Sequence, residues 1–389
     1  MSKYFNYQDL TWPDIAALPR DIPLVIPLGA GYPQEKLSSA LGNPARIGLL
    51  PAFPFGWEGS GLRVEEKLLQ AYLANLVDSL RDDGFTRVYV LTPPGINWAS
   101  QQGSSSLAAA RIALPQQPVD RNRQLLQLPP DNERGKVILI PVGHTEQHGY
   151  HLPMSTDTLI IEAISRKTAA AVPEQAFSLP VMPYGVSTHR PSFAGTLNAG
   201  GRAFEDFWVN VIDVLAQRGF DRFYFLSGHG GNGSFLVNVV KYAGEKHRRI
   251  FCATAWLYLS SPEGVSILEQ HRESRVGGMG HACELETSLI LYLKPDLVHM
   301  DRVVDETDFI STTSYFMDWV EGGALIANPP WDDDTATGAY GAGSLGTAEK
   351  GKIWLSAAVS EKTRHVAEIH EQHLRREQRR TSGYGLWGK

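Results

Sequence analysis

The apolar positions of the chain fall into short β-branched runs separated by longer stretches with helical spacing. PLVIPLG (23–29) and part of RIGLLPAFPFG (46–56) have the pattern of buried strands. VEEKLLQAYLANLVDSLRDDG (64–84) carries an apolar stripe of helical period and ends on a glycine, and TRVYVLT (86–92) is a strand again. From about 94 to 134 the chain is rich in Ser, Gln, Pro and Asn, interrupted by apolar SLAAARIAL, and reads as a linker. The same order then returns. KVILIPVG (136–143) is a strand, TDTLIIEAISRKTAAAV (156–172) a helix and SLPVMPYG (178–185) a short strand. RAFEDFWVNVIDVLAQRG (202–219) is an amphipathic helix closed by glycine, and DRFYFLSG (221–228) a strand. This alternation predicts an α/β fold, a parallel sheet flanked by helices.

The return extends to residues. IPLG (26–29) matches IPVG (140–143), and LPAFPFG (50–56) matches LPVMPYG (179–185). Asn75 and Asp78 match Asn210 and Asp213, each pair preceding a GF-(T/D)-R strand start, and Asn97 matches Asn232. Four segments in one order point to internal duplication, against the blander alternative that glycine and proline punctuate all βαβ units alike. In the strand register Glu146 faces Tyr32, His148 faces Gln34, Asp157 faces Asn43 and His229 faces Pro94. The expected organisation is a ligand-free N-terminal lobe over 1–125 and a chemically equipped domain over 130–389.

Composition narrows the function. In 389 residues the charged fraction is 20% and the net charge -6, which disfavours a nucleic-acid surface; RREQRR near the end fits the solvated face of a terminal helix. Cys252 and Cys283 are the only cysteines, so neither a disulfide framework nor a cysteine zinc site is expected. Neither a leader pattern nor an apolar run of membrane-spanning length occurs, which points to a cytoplasmic location.

Candidate chemistry gathers where strands of the second half end, the side of an open parallel sheet that forms its ligand crevice. The stretch 137–157, VILIPVGHTEQHGYHLPMSTD, passes from strand to a loop holding Glu146, His148, His151 and Asp157. Carboxylates and imidazoles at that density are costly to bury without a cation. STHRPSFAGT (187–196) adds His189 and Arg190, as substrate contacts or, for a lone histidine, a satisfied loop residue. SGHGGNGS (227–234) sets His229 among Gly230, Gly231 and Asn232, either admitting substrate close to the backbone or forming a phosphate-cradling turn. GHACELETS (280–288) brings His281, Glu284 and Glu286 to the start of an apolar helix; Glu286 there suits a helix-start role, and Cys283 a small buried filler.

GHTEQHGYHLPMSTD, FAGT, SGHGGNGS and HACELETS together resemble the creatininase family of metal-dependent amidohydrolases, over about residues 130–370. The resemblance implies a compact α/β fold and a binuclear site of zinc or manganese. It places Glu146, His148, Asp157 and His229 on ligand positions, with Asp157 bridging, and His281 on a catalytic or substrate-orienting one. Creatininases proper carry a ligand glutamate two residues after the GH histidine, where this chain has Gly231; Glu284 is the candidate replacement, as ligand and in catalysis. The implied reaction is ring opening of a small polar substrate. Hydroxide generated on two divalent ions attacks a carbonyl, and His281 protonates the leaving group. A cyclic amide C–N bond is the first expectation and a C–C bond of a cyclic diketone such as a dehydro-inosose the second, placing the chain in carbohydrate or inositol catabolism. A scaffold stabilised by a structural metal is the non-catalytic alternative. The resemblance also suggests a homo-oligomer.

Overall fold

A computed structural model describes residues 2–96, 107, 109–116, 127–188, 192–319 and 324–382. Asn97, His189 and Arg190 lie outside the described residues.

The first half forms a parallel sheet from β1 (Tyr4–Asn6), β2 (Leu24–Pro27), β3 (Ile47–Leu49), β4 (Val88–Thr92) and β5 (Arg111–Ala113), in the order β1-β3-β2-β4-β5. Helices α1 (Trp12–Ala16), α2 (Gln34–Ala40) and α3 (Glu66–Asp82) connect its strands. The second half builds another parallel sheet from β6 (Val137–Val142), β7 (Ala176–Ser178), β8 (Arg222–Ser227) and β9 (Phe251–Thr254), ordered β7-β6-β8-β9. Its crossovers run through α4 (Thr156–Ala171), α5 (Gly201–Gln217) and α6 (Gly233–Lys246). After α7 (Pro262–His271), a short antiparallel pair of β10 (Met279–His281) and β11 (Tyr340–Gly341) brackets α8 (Glu284–Leu293), and α9 (Ala348–Thr381) ends the fold.

One expectation is corrected. The segment read as a linker contains β5, which pairs with β4 through Val90↔Arg111 and Thr92↔Ala113. Three residues within the short apolar run SLAAARIAL are too few to show a strand's alternation.

Why β6 and the inner positions of β8, Phe223–Leu226, lack the alternation of a half-exposed strand follows from where their side chains go. Ile138, Ile140 and Val142, with Phe223 and Phe225, enter one core; Val137 and Leu139, with Tyr224 and Leu226, enter another. A strand buried on both faces distributes alternate residues to two cores and loses its polar positions. The second core lies under α4, α8 and α9 through Ile160, Ile164, Leu285, Leu289, Trp354 and Ala358.

The first core is shared by both halves. Phe53, Phe55 and Tyr72 interlock with Tyr184, Phe204, Phe207 and Trp208, mostly as edge-on pairs with centroids 5.1–6.4 Å apart. Burying each such ring contributes about 1.5–3 kcal/mol. The contacts between α3 and α5 are reciprocal. Asn75 Nδ2 donates to Ala199 O at 2.6 Å, just before α5, and Asn210 Oδ1 accepts from Glu65 N at 2.9 Å, just before α3. Both helices also end alike. Gly84 (φ +91) and Gly219 (φ +88) adopt the left-handed conformation, with Phe85 N reaching Leu80 O and Phe220 N reaching Leu215 O.

Candidate metal centre

Neighbouring parallel strands β6 and β8 end together, Val142 opposite Ser227, so the loops that follow them lie side by side. Gly143 permits the close turn onto α4, since a Cβ there would lie 2.5 Å from Thr158. Asp157 is in the first turn of α4, His229 follows β8, and Glu286 lies in the first turn of α8. The N-terminal half braces the first loop, with Leu10 O and Gln8 O accepting from Met154 N and Ser155 N at 2.9 and 3.0 Å.

Two histidines are oriented by backbone carbonyls, which can only accept. His229 Nε2 donates to Val186 O at 3.1 Å, turning Nδ1 toward Glu146 Oε2 at 2.8 Å and Asp157 Oδ2 at 3.2 Å. His148 Nδ1 donates to Glu146 O at 3.1 Å, turning Nε2 toward Asp157 Oδ1 at 3.1 Å and Glu286 Oε1 at 3.7 Å. In each neutral ring a lone pair therefore confronts two carboxylates, an arrangement that calls for a cation between them. All five residues are buried, and Glu146 Oε2 and Asp157 Oδ2 accept no hydrogen bond. Buried carboxylate oxygens are otherwise satisfied, so these two fit a metal ion.

The electrostatics agree. Burial opposes charge on His229, yet Glu146 and Asp157 raise its pKa to about 10. Burial likewise opposes charge on His148, but Asp157 and Glu286 raise it well above the ordinary value. Asp157, despite burial, is drawn down to about 2 by His148 and His229, and Glu146 is held well below the usual carboxylate range, chiefly by His229. A field that holds protons this firmly would hold a divalent cation in their place.

Three groups of potential ligand atoms lie within 4.8 Å of one another: His144, Glu146 and His229; Glu146, His148 and His281; His148, Asp157 and Glu286. Glu146, His148, Asp157, His229 and His281 thus converge. His281 Nε2 donates to Gln147 O at 2.6 Å, leaving Nδ1 as a proton acceptor; burial and then His148 lower its pKa. Its ring lies against His148 and Trp331, with centroids 4.1 and 4.9 Å away.

Glu284 does not converge. Its carboxylate accepts from Lys350 Nζ at 2.7 Å, Glu273 N at 3.0 Å and Ser274 N at 2.8 Å. Residues two apart on a helix point about 200° apart, so only one of Glu284 and Glu286 can face the centre. It is Glu286, whose carboxylate turns toward His148, although its place in the first helical turn also suits a helix-start role. Asn232 is also otherwise engaged, since its amide accepts from Val186 N at 2.9 Å and donates to Gly143 O at 3.3 Å. Gly230 and Gly231 do lie at the centre's edge, beside Trp256 and His229 respectively.

His144, Trp256 and Trp331 also border the centre, none of them among the candidate ligands that the sequence motifs mark. His144 is two residues before Glu146 at a strand end, and period-2 alternation was the available signal. Trp256, 55% exposed, projects over Gly230 and Gly233 from the loop after β9 and carried no local motif.

A family model described as creatininase, creatinine amidohydrolase, matches residues 125–366. The chain is 31% identical over 182 residues to the creatinine amidohydrolase of Pseudomonas putida, covering 43% of this chain and 68% of that one. It is 33% identical over 173 residues to the mycofactocin precursor peptide peptidase of Mycobacterium ulcerans, covering 43% of this chain and 62% of that relative's length. To the 3-dehydro-scyllo-inosose hydrolase of Thermotoga maritima it is 28% identical over 257 residues, covering 61% and 78%. A solved manganese creatininase superposes with a TM-score of 0.50 at 25% identity, covering 61% of this chain and 92% of that one.

Proposed function

The chain belongs to the creatininase family, and on that premise we propose that it is a metal-dependent hydrolase with room for two divalent ions, zinc or manganese, which Glu146, His148, Asp157, His229 and Glu286 would hold. Glu146, His229 and Asp157 Oδ2 would hold one ion; His148, Glu286 and Asp157 Oδ1 the other. The observation that carries this is the placing of Asp157, one oxygen toward each of two histidines whose tautomers are set by backbone carbonyls.

What such a pair supplies is an acidified water and a polarised carbonyl oxygen. The chain's own groups do the rest. Ser187 Oγ donates to Glu146 Oε1 at 3.3 Å and steadies that carboxylate. His281, its Nε2–H tied to Gln147 O, takes a proton on Nδ1 and passes it to the leaving atom. Trp256 provides an apolar wall at the rim, where a planar ring can stack.

The substrate is a small polar molecule whose ring opens by C–N cleavage, in keeping with an amidohydrolase and a peptidase among the relatives. The longest matched span, to an inosose hydrolase, favours a second reading in which a C–C bond of a cyclic diketone breaks. Mass spectrometry after incubating the manganese-loaded chain with creatinine, with a cyclic 1,3-diketone and with a short peptide tests both. Gain of one water by a cyclic compound is expected. Cleavage of the peptide alone would contradict ring opening, and inertness of a fully loaded protein toward all three would favour the metal-stabilised scaffold.

The organisation we propose is a degenerate copy over 1–125 joined to a catalytic domain over 130–389. The shared second-first-third-fourth strand order of β3-β2-β4-β5 and β7-β6-β8-β9 supports it, as does the reciprocity of Asn75 and Asn210.

A further inference from the structure

His144 has no part in the scheme above. It is buried, its ring lies 4.4 Å from that of His229, and a ring nitrogen is within 4.8 Å of the ligand atoms of Glu146 and His229. Gly185 N donates to its Nδ1 at 2.9 Å. A backbone amide only donates, so Nδ1 offers its lone pair and the ring hydrogen is on Nε2. That Nε2 is buried and has no hydrogen-bond partner. The same tautomer makes His144 a poor metal ligand. Giving the Nε2 lone pair to a cation would set an Nδ1–H against the Gly185 N–H.

A second observation concerns the neighbouring glycine. A Cβ on Gly231 would lie 2.4 Å from both His229 Nε2 and Val186 O, the two atoms of the bond that orients His229. Position 231 therefore has no room for a side chain while that bond holds. A place beside Glu146 and His229 is thus left that position 231 does not fill. Beside that place stands a buried donor with nothing to donate to. Such a donor is costly to keep unless a bound molecule satisfies it.

We propose that His144 is a substrate-binding residue whose Nε2–H receives an anionic oxygen, a carboxylate or enolate-type oxygen, seated at the Glu146–His229 position. The substrate class is thus narrowed to molecules presenting such an oxygen next to the scissile bond. This rests on the metal reading of the centre.

The test uses the full chain loaded with cobalt, with acetate as the probe followed in the visible spectrum and metal content measured by mass spectrometry. His144→Ala is expected to keep the wild-type metal content and to bind acetate about tenfold more weakly, the worth of one buried hydrogen bond. His144→Gln, which can still accept from Gly185 and offer an N–H, should recover part of that loss and covers the case in which the alanine variant fails to fold. The proposal is overturned if His144→Ala sheds metal, which would make it a ligand. It is also overturned if acetate affinity is unchanged, if the glutamine variant is no better than alanine, or if acetate does not perturb the loaded wild type. A wild-type chain that takes up no cobalt would instead remove the metal reading itself.

Discussion

At the scale of single residues, Glu284 and Glu286 separate structure from chemistry. Both are buried and two positions apart, yet one is neutralised by Lys350 and two backbone amides while the other faces His148. Glu284→Gln weakens a buried ion pair but leaves Lys350 paired with Glu273, and should cost about 1–3 kcal/mol in urea unfolding while leaving metal content intact. Glu286→Gln should do the reverse, lowering metal content with a small change in stability. The convergence of Glu146, His148 and Asp157 is legible because the chain sets these candidate ligands at motif density. Glu286 is not, because a carboxylate in a first helical turn has an ordinary explanation and only the helix's rotation decides which of two acids turns inward. The same groups set a pH dependence. In the metal-free protein His229 has its pKa raised from 6.5 to about 10. That contribution to stability is complete below pH 6.5 and is lost as pH rises through 10. Asp157, lowered from 3.8 to about 2, contributes above pH 3.8 and ceases to as pH falls through 2. The chelated protein should therefore lose thermal stability between pH 6.5 and 10, and metal loading should abolish that decline because the ions displace the protons. A flat profile in the chelated protein would count against a facing of lone pairs and carboxylates.

At the scale of elements, the long periodic segments declared themselves and the short ones did not. Strand β6 and the inner positions of β8 show no polar alternation because two cores claim alternate residues, and helices α3 and α5 show both their stripe and their terminal glycine. Strand β5 has too few residues for a pattern, and its fate was decided by pairing with β4 rather than by propensity. The reciprocal asparagines yield a further expectation. Asn75→Ala and Asn210→Ala each remove one helix-entry hydrogen bond and should each cost about 1 kcal/mol. Denaturant titration checks this; a loss confined to one of them would argue that the two interfaces are not equivalent.

At the scale of the whole molecule, the N-terminal half lacks the ligands but not the contacts. It shares a core with the second half and holds the loop between Glu146 and Asp157 through Leu10 and Gln8. Calorimetry should therefore find one cooperative transition for the full chain, whereas two well-separated transitions would mean that the halves are independent. Among the described residues no helix is long and apolar enough to cross a membrane. What joins these scales is Asp157, reached from a loop braced by one half and shared between two histidines of the other. The most direct measurement is the metal content of the purified full chain, wild type beside Asp157→Asn. Two equivalents of zinc or manganese in the wild type, with both largely lost in the variant, are predicted; an unchanged content in Asp157→Asn would contradict the bridged centre.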